Sequence, residues 1–382
     1  MSNTGAVIAT AALAAVLAER GALLSIRVAR RTGFLDRPGG YKTHEAATPY
    51  LGGAAVFLAL LIAASLSAGV IVRVPVILTC AVILAVIGTI DDRLTVSPYW
   101  RLLAEAIAAV AVWAAHCAFT IFDSGALDLC VTIVWVVGIV NAFNLFDNLD
   151  GACASIVGVS AAGVGVLGLI HGEWHVGALG MAIAGGCGGF LRHNLAKPAR
   201  IFLGDGGSMP LGFLIASLTM VVARGRGLGA DELVLCGLLT GLPVLDTTLV
   251  VISRRRRGLS ILTGGRDHLT HRLLGRLGTP RRVALVLGSA QAGLVALAVI
   301  GDSAGRVLLA LFGMGALALG VLALRVFESA PWAPAPPVRS SESLSDAPRS
   351  VPAFEPLEIA PRRALASAMP AALDQRMDLD PR

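Results

Sequence analysis

The amino-acid sequence predicts an all-α integral membrane protein of about eleven transmembrane helices, with its N-terminus outside and its C-terminus cytoplasmic. Three observations carry that expectation. Of the 382 residues, 55% are hydrophobic and 15% charged, where a soluble domain carries roughly 25% charged residues. The charges fall between long uncharged stretches, of about the 17–25 residues a helix needs to cross a bilayer. Basic residues also crowd into alternate connecting loops, which is the bias that orients membrane proteins.

Taken in order, the apolar segments lie near 4–24, 50–71, 74–90, 101–120, 129–146, 152–170, 176–192, 208–223, 232–252, 283–300 and 304–326. The first lacks the positive n-region of a secretory leader; Glu19, Arg20, Arg27, Arg30 and Arg31 come after its start instead. Segments three, five, seven and eight are short or Gly-rich. With the N-terminus outside, the inside loops are 25–49, 91–100, 147–151, 193–207 and 253–282. Near their edges stand Arg27, Arg37, Lys42, Arg93, Arg101, Lys197, Arg200, Arg254 to Arg257, Arg266 and Arg272, against Arg73, Arg224, Arg226 and Arg306 outside. From Glu328 onward the composition turns to Pro, Ala and Ser, which cannot bury enough apolar surface to fold alone. Residues 1–327 therefore read as the transmembrane domain and 328–382 as a disordered cytoplasmic tail.

The formal net charge of +6 fits cytoplasmic loops, and no basic-aromatic groove motif points to nucleic acid. The six cysteines lack CxxC spacing, so no disulfide or zinc site is expected. No internal repeat of fixed period is present.

The unusual polar residues gather on the inside loops. "GTIDDR" ends the third segment with Asp91 and Asp92, and "NAFNLFDNLDG" ends the fifth with Asn141, Asn144, Asp147, Asn148 and Asp150. "NLAKPARIFLGDGGS" places Asn194, Lys197, Asp205 and Ser208 before the eighth, and "GGRDHLTHRLL" places Asp267, His268, His271 and Arg272 before the tenth. Each has a structural reading as well. Paired aspartates cap helix ends, although an Asp at a C-terminus opposes the helix dipole. Intramembrane asparagines bond helix to helix, but Asn141, Asn144 and Asp147 share a face that leads to the membrane surface. An Asp in a Gly-rich turn is commonly structural, yet Asp205 opens a helix whose N–H groups suit a phosphate. The arginine run 254–257 reads first as a contact for anionic lipid. Five aspartates at one face repel unless a cation joins them. Hard oxygen donors without thiolate favour Mg²⁺ or Mn²⁺, sharing its shell with substrate phosphate.

These motifs, in this order and on these loops, resemble the polyprenyl-phosphate N-acetylhexosamine-1-phosphate transferases, the glycosyltransferase family 4 group containing WecA, TagO and MraY. The resemblance spans about residues 33–275 and is nearer the WecA-like branch. It implies a Mg²⁺-dependent enzyme of the cell (inner) membrane, working at the cytoplasmic face. A UDP-sugar would donate N-acetylhexosamine-1-phosphate, GlcNAc-1-phosphate first among them, to undecaprenyl or another polyprenyl phosphate. UMP would be released, initiating envelope glycan synthesis. By that resemblance Asp91, Asp92, Asp147 and Asp150 are catalytic, and Asp205 with Asp147 binds the metal. Lys42, Asn144, Asn194, His268, His271 and Arg272 bind substrate, and Asp36 and His44 match the first loop. Thr270 stands where many members carry another histidine, and Tyr50 where a basic residue is common. The resemblance also leaves room for a homodimer. The alternatives are a phospho-N-acetylmuramoyl-pentapeptide transferase activity and an ion-coupled transporter. A transporter would place its polar residues near mid-bilayer at broken helices, whereas these lie at loop edges.

Overall fold

The computed structural model describes residues 3–37, 47–66, 74–94, 96–122, 124–224, 229–261, 265–329 and 332. Among them the apolar segments form helices: α1 (Asn3–Thr32), α2 (Gly52–Leu66), α3 (Pro75–Leu94), α4 (Pro98–Ala114), α5 (Gly125–Phe146), α6 (Ala152–Ile170), α7 (Trp174–Asn194) and α8 (Asp205–Ala223). There follow α9 (Ala230–Leu239), α10 (Gly241–Arg256), α11 (Leu269–Leu277), α12 (Pro280–Ala304) and α13 (Arg306–Phe327). By length and composition, eight helices of the described residues can cross a membrane, or nine if the bent pair α9 and α10 is one span. The architecture is that of an all-α, multi-pass membrane protein. It parts from the eleven expected segments at α2 and α4, which have 15 and 17 residues.

Helix α8 is buried over 94% of its apolar window and α13 over 6%, so α8 is the axis of the bundle and α13 lies at its edge. Around α8 stand α2, α3, α5, α6 and α9. In lipid, apolar burial does not drive helices together, so close approach depends on small residues that let backbones touch. Gly185 and Gly189 of α7 do this against α1: a Cβ on either would fall 2.0 Å from the Ala11 carbonyl oxygen or 2.1 Å from that of Ala15. At the end of the bundle where α3 meets α8, Gly88 plays the same part, since a Cβ there would lie 2.3 Å from the carbonyl oxygen of Asp205.

Two features were not foreseen from local pattern. One is a short antiparallel ladder of β1 (Leu35–Asp36) and β2 (Thr48–Pro49), pairing Leu35 with Pro49 and Asp36 with Thr48. Phe202 donates to the Pro49 carbonyl at 2.8 Å, and Gly52 and Gly53 donate to those of Phe202 and Leu203, so the segment entering α8 lies beside the one entering α2. The other is the 83° bend between α9 and α10, where one segment was expected at 232–252. Pro243 has no N–H to return to Leu239, four residues back. The buried amide of Gln291 on α12 substitutes: its Nε2 donates to the carbonyls of Leu238 and Leu239 at 3.2 and 2.9 Å, and its Oε1 accepts from Leu242 at 3.3 Å. Each buried backbone group left without a partner costs about 1–3 kcal/mol. Gln291→Leu is therefore expected to lower the melting temperature in detergent by several degrees, read by thermal unfolding. An unchanged melting temperature would show that the bend does not depend on this amide.

Residues 1–335 form one unit and 336–382 another. The second lies outside the described residues, as does most of the expected tail. Glu328, Ser329 and Trp332 continue from α13 within the first unit.

Candidate active site

The site is built where the C-terminal turn of α3 meets the N-terminus of α8. Gly88 lets the two helices touch, and Asp92 then accepts the N–H groups of Asp205 and Gly206 at 2.9 and 3.0 Å. One helix thus supplies the N-terminal cap of another, satisfying donors that an isolated helix leaves open. Gly204, at φ 75°, completes the turn; a Cβ there would fall 2.6 Å from Asp92 Oδ2.

Asp91 is engaged differently. It is buried, and it accepts from Val96 N–H at 2.5 Å and from Arg101 Nη1 at 2.6 Å. The same guanidinium reaches Asp205 Oδ2 at 3.1 Å and, through Nη2, Asn144 Oδ1 at 2.7 Å. Asn144 in turn donates to Asp205 Oδ1 at 2.8 Å and shares a 2.9 Å bond with Ser208 Oγ. Arg101 and Asn144 between them fix both oxygens of Asp205 while leaving lone pairs for a further partner. One turn deeper, Asn141 donates to Glu105 Oε2 at 2.5 Å and to the Val137 carbonyl at 2.9 Å. The polar stripe of α5 therefore serves both readings: Asn141 joins helices, and Asn144 holds the site.

A cavity of about 1230 Å³ opens on this constellation. Asp92, Asp147, Asp150 and Asp205 line it, together with Arg30, Lys197, Arg200 and Arg266. Burial, then the charges of Asp205, Asp92 and Asp150, raise the proton affinity of Asp147 well above the usual carboxylate range, partly offset by the Gly204 amide. Such a group favours a cation beside it. Among the described residues no group of three or more His, Cys, Asp or Glu side chains could hold a metal ion by itself. The donor set nevertheless fits a hard divalent cation of the Mg²⁺ kind, which binds through one or two carboxylates and completes its shell with substrate phosphate and water.

The structure brings Asp92, Asp147, Asp150, Asp205 and Asn194 to the cavity wall, with Asn144 directly behind Asp205. Asn194 is occupied there, donating to the Ile201 carbonyl at 2.9 Å and accepting from Gly151 N–H at 2.6 Å, so it shapes the wall. Asp91, His268, His271 and Arg272 are not among the lining residues. His268 Nδ1 is paired with the buried Asp246 at 2.8 Å, and Asp246 also accepts from Leu269 N–H at 2.6 Å. Burial, then Arg266 and His268, lower the pKa of His271 to about 4; at neutral pH its ring carries no positive charge. Arg254 and Arg257, read from sequence as lipid contacts, both bond Asp267, while Arg255 and Arg256 are exposed. Lys42 and His44 lie outside the described residues.

Local pattern alone singles out neither the cavity-wall residues Arg30, Arg200 and Arg266 nor Arg101 and Asp246. Arg101 was counted only as an inside-loop cation, although a basic residue opening an apolar segment, with Glu105 one turn on, was a signal of an intramembrane charge site. Asp246 was likewise an acid in the interior of the apolar segment 232–252, whose other acid, Glu232, stands at its edge.

Residues 74–223 match the family model described as glycosyl transferase family 4. The chain is 34% identical over 332 residues to a proposed glycosyltransferase of Streptomyces coelicolor, covering 85% of this chain and 75% of that one. It is 29% identical over 272 residues to a proposed undecaprenyl-phosphate N-acetylglucosaminyl 1-phosphate transferase of Bacillus subtilis, covering 68% and 75%. It is 30% identical over 298 residues to a decaprenyl-phosphate N-acetylglucosaminephosphotransferase of Mycobacterium tuberculosis, covering 68% and 74%.

Proposed function

Because the chain belongs to glycosyl transferase family 4, we infer that it transfers an N-acetylhexosamine-1-phosphate from a UDP-sugar to a polyprenyl phosphate, releasing UMP. The observation that carries this reading is the cavity itself. It gathers Asp92, Asp147, Asp150 and Asp205 with Lys197, Arg200 and Arg266 in one cavity wall. Acidic groups alone would repel a diphosphate, and basic groups alone would need no ion. The combination suits a phosphorylated substrate that arrives with a divalent cation.

In the proposed reaction an oxygen of the lipid phosphate attacks the β-phosphorus of the UDP-sugar. The bond from that phosphorus to the oxygen bridging to the α-phosphate breaks, and UMP departs with the electron pair. Phosphate monoesters have a second pKa of about 6, so the acceptor is already mostly ionised at neutral pH. Proton removal then contributes little, and positioning with charge stabilisation contributes most. Lys197, Arg200 and Arg266 hold the diphosphate, with Arg30 of α1 also lining the cavity. Asp92 keeps the α8 N-terminus in place, and Arg101 with Asn144 holds the Asp205 carboxylate in a fixed orientation. Asp147 and Asp205 are the residues placed to hold Mg²⁺, or Mn²⁺ in its stead, which when bound would neutralise charge developing on the departing UMP.

The proposed topology has eleven spans, with α2 and α4 as short ones, α9 with α10 as a broken one, and the cavity on the cytoplasmic face. It rests on the Lys/Arg asymmetry of the loops. Single cysteines at Lys197→Cys and Ser303→Cys test it in a background lacking the exposed Cys130. An impermeant thiol reagent should reach position 197 only from the cytoplasmic side and position 303 only from outside. Labelling of 197 from outside would overturn the orientation.

Purified protein with Mg²⁺, undecaprenyl phosphate and a panel of UDP-sugars tests the activity through UMP release, with UDP-GlcNAc expected to be used. No lipid-dependent release from any UDP-sugar would refute the reading.

A further inference from the structure

Asp267, just before α11, is tied to α10 and the end of α13 by buried charge. The Arg272 side chain is 2% exposed. Its Nε donates to the Asp267 carbonyl at 2.8 Å, and its Nη2 to Ser253 Oγ and to Glu328 Oε1, each at 3.0 Å. Its Nη1 donates to the Phe327 carbonyl. Ser253 belongs to α10, Asp267 to the residues just before α11, and Phe327 and Glu328 to the end of α13, so one guanidinium ties three segments. Arg276 of α11 lies 4.7 Å over the Trp332 ring, which meets Phe327 edge-on at 5.1 Å. The residue next to Asp267 is Arg266, which lines the cavity.

We infer that Glu328 is a positioning residue for the donor side of the cavity, acting through Arg272 and the Asp267 backbone on Arg266. This rests on the donor reading given above. Glu328 does not line the cavity, so it acts at a distance. A buried guanidinium that loses its carboxylate partner is strongly destabilised where it stands, and the residues just before α11 would shift to hydrate it. Arg266 would move with them, while Asp92, Asp147 and Asp205, held by α3, α5 and α8, would stay. The consequence therefore falls on binding of the donor diphosphate and spares the chemical step.

The test uses the full-length protein in detergent. Glu328→Ala should raise KM for the UDP-sugar about tenfold, with kcat within about twofold and KM for the lipid phosphate unchanged. Glu328→Gln, which keeps an acceptor oxygen, should fall between. Arg266→Ala should raise the donor KM similarly, and the double variant should be little worse than either single one, because the two act on one interaction. Deleting residues 335–382 retains Glu328 and Trp332 and should leave the donor KM unchanged. Calorimetric binding of UDP should weaken in parallel, giving a readout independent of turnover. An unchanged donor KM and UDP affinity in well-folded Glu328→Ala would overturn the inference, as would a fall in kcat alone or full additivity with Arg266→Ala. Should Glu328→Ala not stay monodisperse, Glu328→Gln decides by the same measurements. A wild-type protein that neither binds UDP nor releases UMP would fail the donor reading itself, an outcome distinct from the others.

Discussion

Asp205→Asn is expected to lower turnover roughly 10³-fold and to leave the fold intact, an effect of several kcal/mol on the transition state. The carboxylate stands at the cavity with one oxygen held by Asn144 and the other by Arg101. Asparagine keeps the volume and one acceptor oxygen, but it presents an NH₂ to one of these two donors and removes the charge proposed to hold Mg²⁺. The fold survives because the N-terminus of α8 is capped by Asp92, which accepts the N–H groups of residues 205 and 206, and both persist in the variant. Asp150→Asn, in the wall of the same cavity, should cost less. Turnover is measured against Mg²⁺ concentration after expression and monodispersity are checked. Near-normal activity with unchanged Mg²⁺ dependence in Asp205→Asn would move the metal to Asp92 or Asp147.

Arg101→Ala is expected to cost at least about 10² in turnover, and unlike Asp205→Asn it should also lower thermal stability. This guanidinium is the bond between α4 and the α3–α5–α8 junction, reaching Asp91, Asp205 and Asn144 at once. Removing one member of a buried ion pair costs about 3–5 kcal/mol, less here because the Arg101 side chain is 17% exposed. Arg101→Lys keeps the charge but cannot present two nitrogens in a planar fork. It should therefore recover most of the stability and only part of the activity. If Arg101→Ala turned over at the wild-type rate, the preorganisation assigned to Asp205 would be unnecessary.

Much of this was legible in the sequence, and the boundary of legibility has a physical cause. Spans are dictated locally, by runs of apolar residues, and helices formed at every apolar segment. The carboxylates of the cavity stand out because an aspartate beside a membrane-spanning run is costly without a use. The contacts that organise them are another matter. Asp92 caps α8 across 113 residues of chain, and Asn144 meets Asp205 across 61; no local pattern encodes such a pairing. For the same reason nothing local sets Arg101 apart from the other inside-loop cations, or pairs His268 with Asp246 across 22 residues. The bend at Thr240 is bonded by Gln291, 49 residues from Leu242, and Pro243 alone gives only a hint of it. Arg272 shows the converse: its type and motif suit an anion site, but its nitrogens are taken by Asp267, Ser253, Phe327 and Glu328.

The central claim is that phosphorus moves with the sugar, and the fate of the donor's β-phosphate tests it most directly. UDP-GlcNAc carrying radiophosphorus only at its β position is incubated with the protein, Mg²⁺ and undecaprenyl phosphate, and the products are partitioned between butanol and water. Transfer of a sugar-1-phosphate sends the label into the lipid fraction and leaves unlabelled UMP in the water. Labelled UDP in the aqueous phase, beside a lipid that has gained sugar without label, would show attack at the anomeric carbon and contradict the account.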